Sequence, residues 1–230
     1  MKNMTFSGDS VTLTPQSDLV YGTPQTAVQV ITLQPGQHYT ASGELAPSAA
    51  QEGVVMSGQI DSCEGRMRAG QYGAYQRFPS GQPLALQNPS PKMPATLLLV
   101  SRYSHSHTSN RQSAARPVTE ERPWGHFTVL ADAPDYKLKE LVIKPGGCLS
   151  LQRHEKRAEH WFVLQGAPTV LKGRTTQQLQ PGDYIRIPRH AWHRIDNRAG
   201  TQDVVIIELQ KGAYFGEDDI ERKQDVYGRK

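Results

Sequence analysis

Cysteine is scarce: Cys63 and Cys148 are the only two among 230 residues. Two isolated thiols build neither a disulfide framework nor a Cys-based zinc site, so a reducing cytoplasm is the simplest setting. Long apolar runs are missing as well. No segment approaches the ~20 apolar residues of a membrane helix, and the start, Met1-Lys2-Asn3-Met4-Thr5-Phe6, holds no apolar run of signal-peptide length. A soluble cytoplasmic protein without a membrane partner is expected. Nor is there a strong excess of one charge: 26 Lys and Arg face 22 Asp and Glu, a formal charge of +4, with no lysine run and no recognition-helix pattern. Nucleic acid is therefore not expected as a partner.

Glycine (20) and proline (16) are plentiful, while apolar residues make up only 37% of the chain. That balance suits many short strands joined by tight turns better than a helical bundle. A chain of this length can bury roughly 70 to 75% of its unfolded surface, enough for one large or two small cores. An all-β protein is expected.

The richest stretch runs from Lys144 to Asn197. Gln152 and His154 stand two apart in an extended segment and share one face of a strand. Glu159 opens the apolar run Trp161 to Leu164, which closes at Gly166. A further segment begins at Pro181-Gly182-Asp183, turns at Pro188 and delivers His193 ahead of Ile195 and Asn197. Gln152, His154, Glu159 and His193 form a mixed nitrogen and oxygen donor set without thiolate, suited to one divalent ion of Zn, Mn, Fe, Co or Ni. An unfilled site would leave Glu159 as an uncompensated charge inside a barrel.

Gly146, Gln152, His154, Glu159 and Gly166 resemble the first motif of the cupins, with Gln in place of the first His. Gly182, Pro188, His190, His193 and Asn197 resemble the second, with His190 in place of its inner glycine. Arg122-Pro123-Trp124-Gly125, Lys144-Pro145-Gly146, Arg157-Ala158-Glu159-His160-Trp161 and the tail Gly216 to Ile220 with Tyr227-Gly228-Arg229 are similar to the C-terminal cupin of type II mannose-6-phosphate isomerases. The resemblance covers residues 121 to 229. It implies an eight-stranded jelly roll over residues 121–230, built from Phe127–Leu130, Lys137–Ile143, Leu149–His154, Glu159–Leu164, Pro168–Lys172, Tyr184–Ile187, His193–Asn197 and Val204–Leu209. It also implies Lys139, Lys144 and Arg194 as catalytic cations and Arg157, in the loop between ligand strands, with His190 beside the substrate. Strand phase opposes Arg194, which is adjacent to His193, and makes Arg153 structural or interfacial. His160, out of phase with Glu159, is a packing or supporting histidine.

The first half echoes the second. Gln34-Pro35-Gly36 parallels Lys144-Pro145-Gly146, and Glu52 to Gly58 resembles Glu159 to Gly166, one residue shorter. Gly70, Pro79, Gly81, Leu84 and Asn88 resemble the second motif, with Leu84 where a ligand His would stand. Residues 1–102 are therefore expected to be a degenerate cupin without metal, making the chain a bicupin. Residues 103–120, polar and aperiodic, are expected to be a linker, its His105 and His107 included. Glu217-Asp218-Asp219 is expected to start a helix.

The function so implied is metal-dependent aldose–ketose isomerisation of a sugar phosphate, mannose 6-phosphate to fructose 6-phosphate first, with a homodimer as an open option. The rival is a non-catalytic, metal-containing regulator that binds a sugar or metabolite. With no Gly-rich nucleotide loop in the chain, guanylyl transfer is not expected.

Overall fold

Strands follow wherever apolar residues recur at every second position, and among the described residues of the computed structural model they are nearly the whole of the regular structure. The structure describes residues 16–22, 26–41, 51–62, 64–68, 75–78, 84–102, 118–224 and 227–228. The chain divides into two compact units, Met1–Ser109 and Asn110–Lys230.

Unit 1 contains β1 (Gln16–Gly22), β2 (Thr26–Leu33), β3 (His38–Ala41), β4 (Gln51–Ser57), β5 (Gln59–Ser62), β6 (Gly65–Arg68), β7 (Tyr75–Phe78), β8 (Leu84–Gln87) and β9 (Ala95–Arg102). Unit 2 contains β10 (Val118–Arg122), β11 (Gly125–Asp132), β12 (Tyr136–Ile143), β13 (Leu151–His154), β14 (Arg157–Gln165), β15 (Thr169–Lys172), β16 (Thr175–Gln178), β17 (Tyr184–Ile187), β18 (His193–Asp196), β19 (Val204–Gly212) and β20 (Ile220–Gln224). Among the described residues each unit has two sheets. In unit 1 their orders are β1-β2-β9-β4-β7 and β3-β8-β5-β6, and in unit 2 β10-β11-β12-β19-β14-β17 and β16-β15-β18-β13-β20. The order β2-β9-β4-β7 is the order β12-β19-β14-β17 again, and β3-β8-β5-β6 is β13-β18-β15-β16. Both units are jelly rolls with apolar interiors, unit 2 centred on Trp161, Phe127, Leu141, Ile195 and Ile206, unit 1 on Ile31, Val55, Leu84, Leu86 and Leu97.

One polar device is repeated in both. Asn197 is buried and donates from Nδ2 to the carbonyls of Ile143 and Gln202, while Asn88 donates to those of Leu33 and Met93. The glycine of each Pro-Gly turn, Gly146 at φ +81° and Gly36 at φ +72°, donates its N–H to the same asparagine's carbonyl at 3.1 Å. A left-handed backbone at that turn favours a residue without Cβ.

Several expectations need correction. Val118–Glu120, assigned to the linker, begin β10, because Val118 and Thr119 pair with Val129 and Thr128. Glu217–Asp219 form a single 3-10 turn leading into β20 rather than a helix start. Asp219 accepts the backbone N–H groups of Glu155 and Lys156, so its charge serves a turn and not a helix dipole. Among the described residues unit 2 has eleven strands where eight are expected: β20 replaces the expected helix start, and β10 and β16 are almost wholly exposed and lack the alternation that marks a half-buried strand. In β4 the residue opposite Phe78 and Ser101 is Gln51, just as Glu159 stands opposite Ile187 and Gln210. Gln51, not Glu52, therefore occupies the place of Glu159, and the span to the closing glycine has the same length in both halves. Leu84 is packed in the unit 1 core. Cys63, Gly70, Pro79, Gly81, His105 and His107 lie outside the described residues.

Candidate metal centre

Three strands bring the candidate ligands together. Gln152 of β13 pairs with His193 of β18, and His154 lies two residues on, facing the same side. Glu159 comes from β14 in the opposite sheet. Donor atoms of His154, Glu159 and His193 lie within 4.8 Å of one another, and all three side chains are at most 3% exposed. His154 Nε2 stands 3.0 Å from Glu159 Oε1 and His193 Nε2 3.3 Å from Oε2. His193 Nδ1 lies 2.8 Å from the Ala191 carbonyl, which can only accept, so Nδ1 carries a proton and Nε2 is the nitrogen turned toward Glu159.

These atoms are close without being satisfied. His154 Nε2, His193 Nε2 and Glu159 Oε2 are buried and make no hydrogen bond. Burying a polar atom unpaired costs about 1–3 kcal/mol, and here three such atoms converge. Two imidazole nitrogens and a carboxylate fit a divalent ion of the Zn, Mn, Fe, Co, Ni group. Burial raises the Glu159 carboxyl, but the charges and hydrogen-bonding reach of His154 and His193 outweigh it and hold Glu159 well below the usual carboxylate range. Burial lowers His193, and Glu159 more than reverses that. Gln152 is half-buried beside the triad, its Oε1 accepting the Ser150 hydroxyl at 2.9 Å.

A pocket lined by Glu159 and Gln152, though not by His154 or His193, takes in Lys139, Arg157, Glu208 and Gln210. The register explains why. Lys139 is opposite Glu208, Glu208 opposite Trp161, and Gln210 opposite Glu159, and directly opposed residues share a face. Trp161 Nε1 donates to Glu208 Oε1 at 3.1 Å, and Gln210 Nε2 donates to Glu208 Oε2 at 2.8 Å and to Glu159 Oε1 at 3.3 Å. Burial first, then the neighbouring Glu159 charge, push the Glu208 carboxyl up to about 7. Glu208 and Gln210 escape sequence reasoning, although two polar residues at alternate positions in the strand Val204–Gly212 are a signal, since buried charges are rarely left without a task.

The structure separates the implied cations. Lys139 is buried in the pocket, its Nζ 4.3 Å from the Phe127 ring centre. Arg157, expected in a loop, is the first residue of β14 and only 2% exposed. It donates to the Gly216 carbonyl at 3.0 Å and lies 3.6 Å from both Glu159 and Asp219. Lys144 is exposed on its turn, and neither it nor Arg194 lines the pocket. Arg194 follows His193 directly, and strand alternation turns it to the other face. His190 is exposed and outside the pocket as well. It keeps the left-handed backbone of the motif glycine, φ +64°, and its N–H donates to the His154 carbonyl at 2.7 Å. Its part is to hold the ligand strand by the main chain, despite a cost of about 1–2 kcal/mol for a Cβ in that conformation.

Arg153 pairs with Glu221 across β13 and β20 at 2.6 Å. His160 is buried, with Nδ1 2.7 Å from the Tyr184 hydroxyl, and burial pushes its pKa down to about 4 from an ordinary 6.5. Between those values the unfolded chain binds more protons than the folded one, so stability falls as pH falls through that window. Lowering the pH from 7.5 to 5 is expected to cost about 2 kcal/mol through this residue. Urea unfolding of wild type and His160→Gln at both pH values checks it; an identical pH slope in the two proteins would refute the assignment.

Residues 109–225 match the family model described as mannose-6-phosphate isomerase C-terminal. The chain belongs to that family. Among relatives of this mannose-6-phosphate isomerase C-terminal member, the alginate biosynthesis protein AlgA of Pseudomonas fluorescens is 43% identical over 108 residues, 47% of this chain and 22% of AlgA. The xanthan biosynthesis protein XanB of Xanthomonas campestris is 41% identical over 47% of this chain and 23% of its own length. The mannose-1-phosphate guanylyltransferase of Escherichia coli is 39% identical over the same shares. The chain spans less than a quarter of each of these proteins. In fold it is similar to a cupin 2 conserved barrel protein from Leptotrichia buccalis, with a TM-score of 0.61, 12% identity and coverage of 88% of this chain and 91% of that one. It is also similar to the oxalate decarboxylase of Lactobacillus farciminis, with a TM-score of 0.57, 18% identity and coverage of 86% and 79%. The architecture is two tandem cupin barrels.

These relatives correct the expectation of a plain aldose–ketose isomerase converting mannose 6-phosphate to fructose 6-phosphate. Their names are those of polysaccharide biosynthesis proteins and a guanylyltransferase, and the family's isomerase label belongs to a C-terminal part of such proteins. Guanylyl transfer, set aside from the sequence for want of a nucleotide loop, is the activity named for one of them. Among the described residues no helix is long and apolar enough to cross a membrane.

Proposed function

We propose that the C-terminal barrel is a metal-dependent enzyme domain of mannose-phosphate metabolism that binds a phosphorylated mannose over one divalent ion held by His154, Glu159 and His193, with Gln152 as a fourth donor. The observation that carries this reading is the unsatisfied triad, whose Glu159 lines a pocket together with Arg122, Lys139, Arg157 and Arg222 and with Glu208 and Glu217. Four cations over three carboxylates favour an anionic ligand. The polysaccharide and mannose-phosphate names of the relatives supply the sugar class.

His154, Glu159 and His193 would hold a divalent ion, which would supply Lewis acidity. The other tasks fall to the chain. Glu208, with its carboxyl poised near 7 and fixed by Trp161 and Gln210, can take or return a proton at its free lone pairs. Lys139 and the arginines hold the anionic end, and the apolar walls Trp124, Phe127 and Leu141 limit water. A cytoplasmic setting, where sugar phosphates are kept, belongs with this proposal, as does a free Cys148.

Calorimetry on metal-loaded and chelated protein tests it. Mannose 6-phosphate or mannose 1-phosphate is expected to bind the loaded protein at least about tenfold more tightly than mannose does, a gain on the scale of a charge-assisted hydrogen bond. It is also expected to be chemically changed on incubation, as phosphorus NMR would report. Equal affinity for mannose, or binding indifferent to chelation, would overturn the proposal. A ligand recovered unchanged would overturn its enzymatic half.

A further inference from the structure

The cations of the pocket are unevenly served. Arg157 faces Glu159 and Asp219, both buried, whereas Lys139 and Arg222 share one exposed partner, Glu217. Lys139 Nζ is 4.0 Å from Glu217 Oε1, and Arg222 Nη2 is 3.6 Å from Glu217 Oε2. Both distances exceed a hydrogen bond. The Lys139 side chain is only 9% exposed and that of Arg222 only 18%, while that of Glu217 is 57% exposed. Arg222 Nε is buried with no hydrogen-bond partner. Two largely desolvated cations thus hold a carboxylate that touches neither at bonding distance and stands mostly in water.

We infer that Lys139 and Arg222 are the seat of the ligand's phosphoryl group, and that Glu217 is a place-holder which the phosphate displaces. The inference rests on the proposed mannose-phosphate reading for the identity of the ligand, not for the existence of the seat. A phosphate carries more charge than a carboxylate and offers tetrahedral oxygens that can fill a gap of this width while taking two N–H groups of the guanidinium. Desolvated cations gain most from an anion that reaches both, because a buried charge left half-compensated is costly. Glu217 can leave cheaply. It sits on the single 3-10 turn before β20, its side chain is solvated, and neither of its ion pairs is at hydrogen-bonding distance. While seated, it screens the cations in the ligand-free protein and raises the threshold for weakly held monoanions.

The test uses the metal-loaded full chain, inorganic phosphate as probe, and Glu217→Gln and Arg222→Gln. Phosphate affinity is expected to rise about fivefold in Glu217→Gln, where the competing charge is gone, and to fall at least about tenfold in Arg222→Gln. Metal content should be unchanged in both. Weaker phosphate binding in Glu217→Gln would make Glu217 part of the ligand site and overturn the place-holder; affinity unchanged in both variants would overturn the seat. Should Arg222→Gln fail to fold, the exposed Glu217→Gln alone decides. Mannose 6-phosphate separates the two proposals. If its binding depends on metal but ignores both substitutions, the seat is wrong and the functional reading stands. If inorganic phosphate behaves as expected while mannose phosphates bind no better than mannose, the seat stands and the functional reading falls.

Discussion

Stripped of divalent ions, the protein is expected to unfold about 10 °C lower than when loaded. An ion at 100 times its dissociation constant contributes about 2.7 kcal/mol to the state that binds it, and about 1 kcal/mol moves the midpoint of a domain the size of unit 2 by roughly 4 °C. The effect is large because the ion would satisfy three buried atoms that nothing in the chain satisfies, His154 Nε2, His193 Nε2 and Glu159 Oε2. Elemental analysis should find about one ion per chain. In His154→Ala the metal affinity should fall by more than about 100-fold, since losing even a residue that only supports a ligand costs 10–100-fold, and the thermal response to chelation should vanish with it. Wild-type metal content in that variant, or a melting point indifferent to chelator, would remove the site.

Arg157→Ala should cost about 3–5 kcal/mol, the range for removing one partner from a buried charge group. Arg157 is 2% exposed and stands between Glu159 and Asp219, themselves buried, while its guanidinium also serves the Gly216 carbonyl. Alanine would leave two carboxylates facing each other's field without a cation, and the turn that carries Glu217 would lose its tie to β14. Arg157→Lys should recover part of the loss by restoring charge without the planar fork. Urea denaturation measures both, and a loss below about 1 kcal/mol in Arg157→Ala would show that Asp219 and Glu159 are compensated by other means.

Gln152, His154, Glu159 and His193 are expected together on local signals, and of these the structure brings His154, Glu159 and His193 within reach of one ion. Same-face spacing on a strand, a carboxylate heading an apolar run, and a Pro-turned segment ending in His and Asn need no knowledge of the partner strand. The repeat was legible for the same reason, as the turns at Gly36 and Gly146 precede Asn88 and Asn197 by nearly the same span. Facing and register were not. A slip of one residue exchanges the two faces of a strand, and that slip separates Gln51 from Glu52 as the counterpart of Glu159.

The same rule governs the cations. Lys139, Lys144 and Arg194 are equally basic in the sequence, yet only Lys139 lies opposite Glu208 on an inward face, while Lys144 rides an exposed turn and Arg194 follows His193 by one residue. Glu208 and Gln210 become site residues through pairing with β14, some fifty positions away, and Glu217, Asp219 and Arg222 through the pairing of β20 with β13. By itself the sequence determined an all-β bicupin with a metal-ready second half, because strand periodicity and motif spacing are properties of short segments. Only the tertiary structure decided which charges meet above the triad, because long-range strand pairing chooses the register, and register chooses the face.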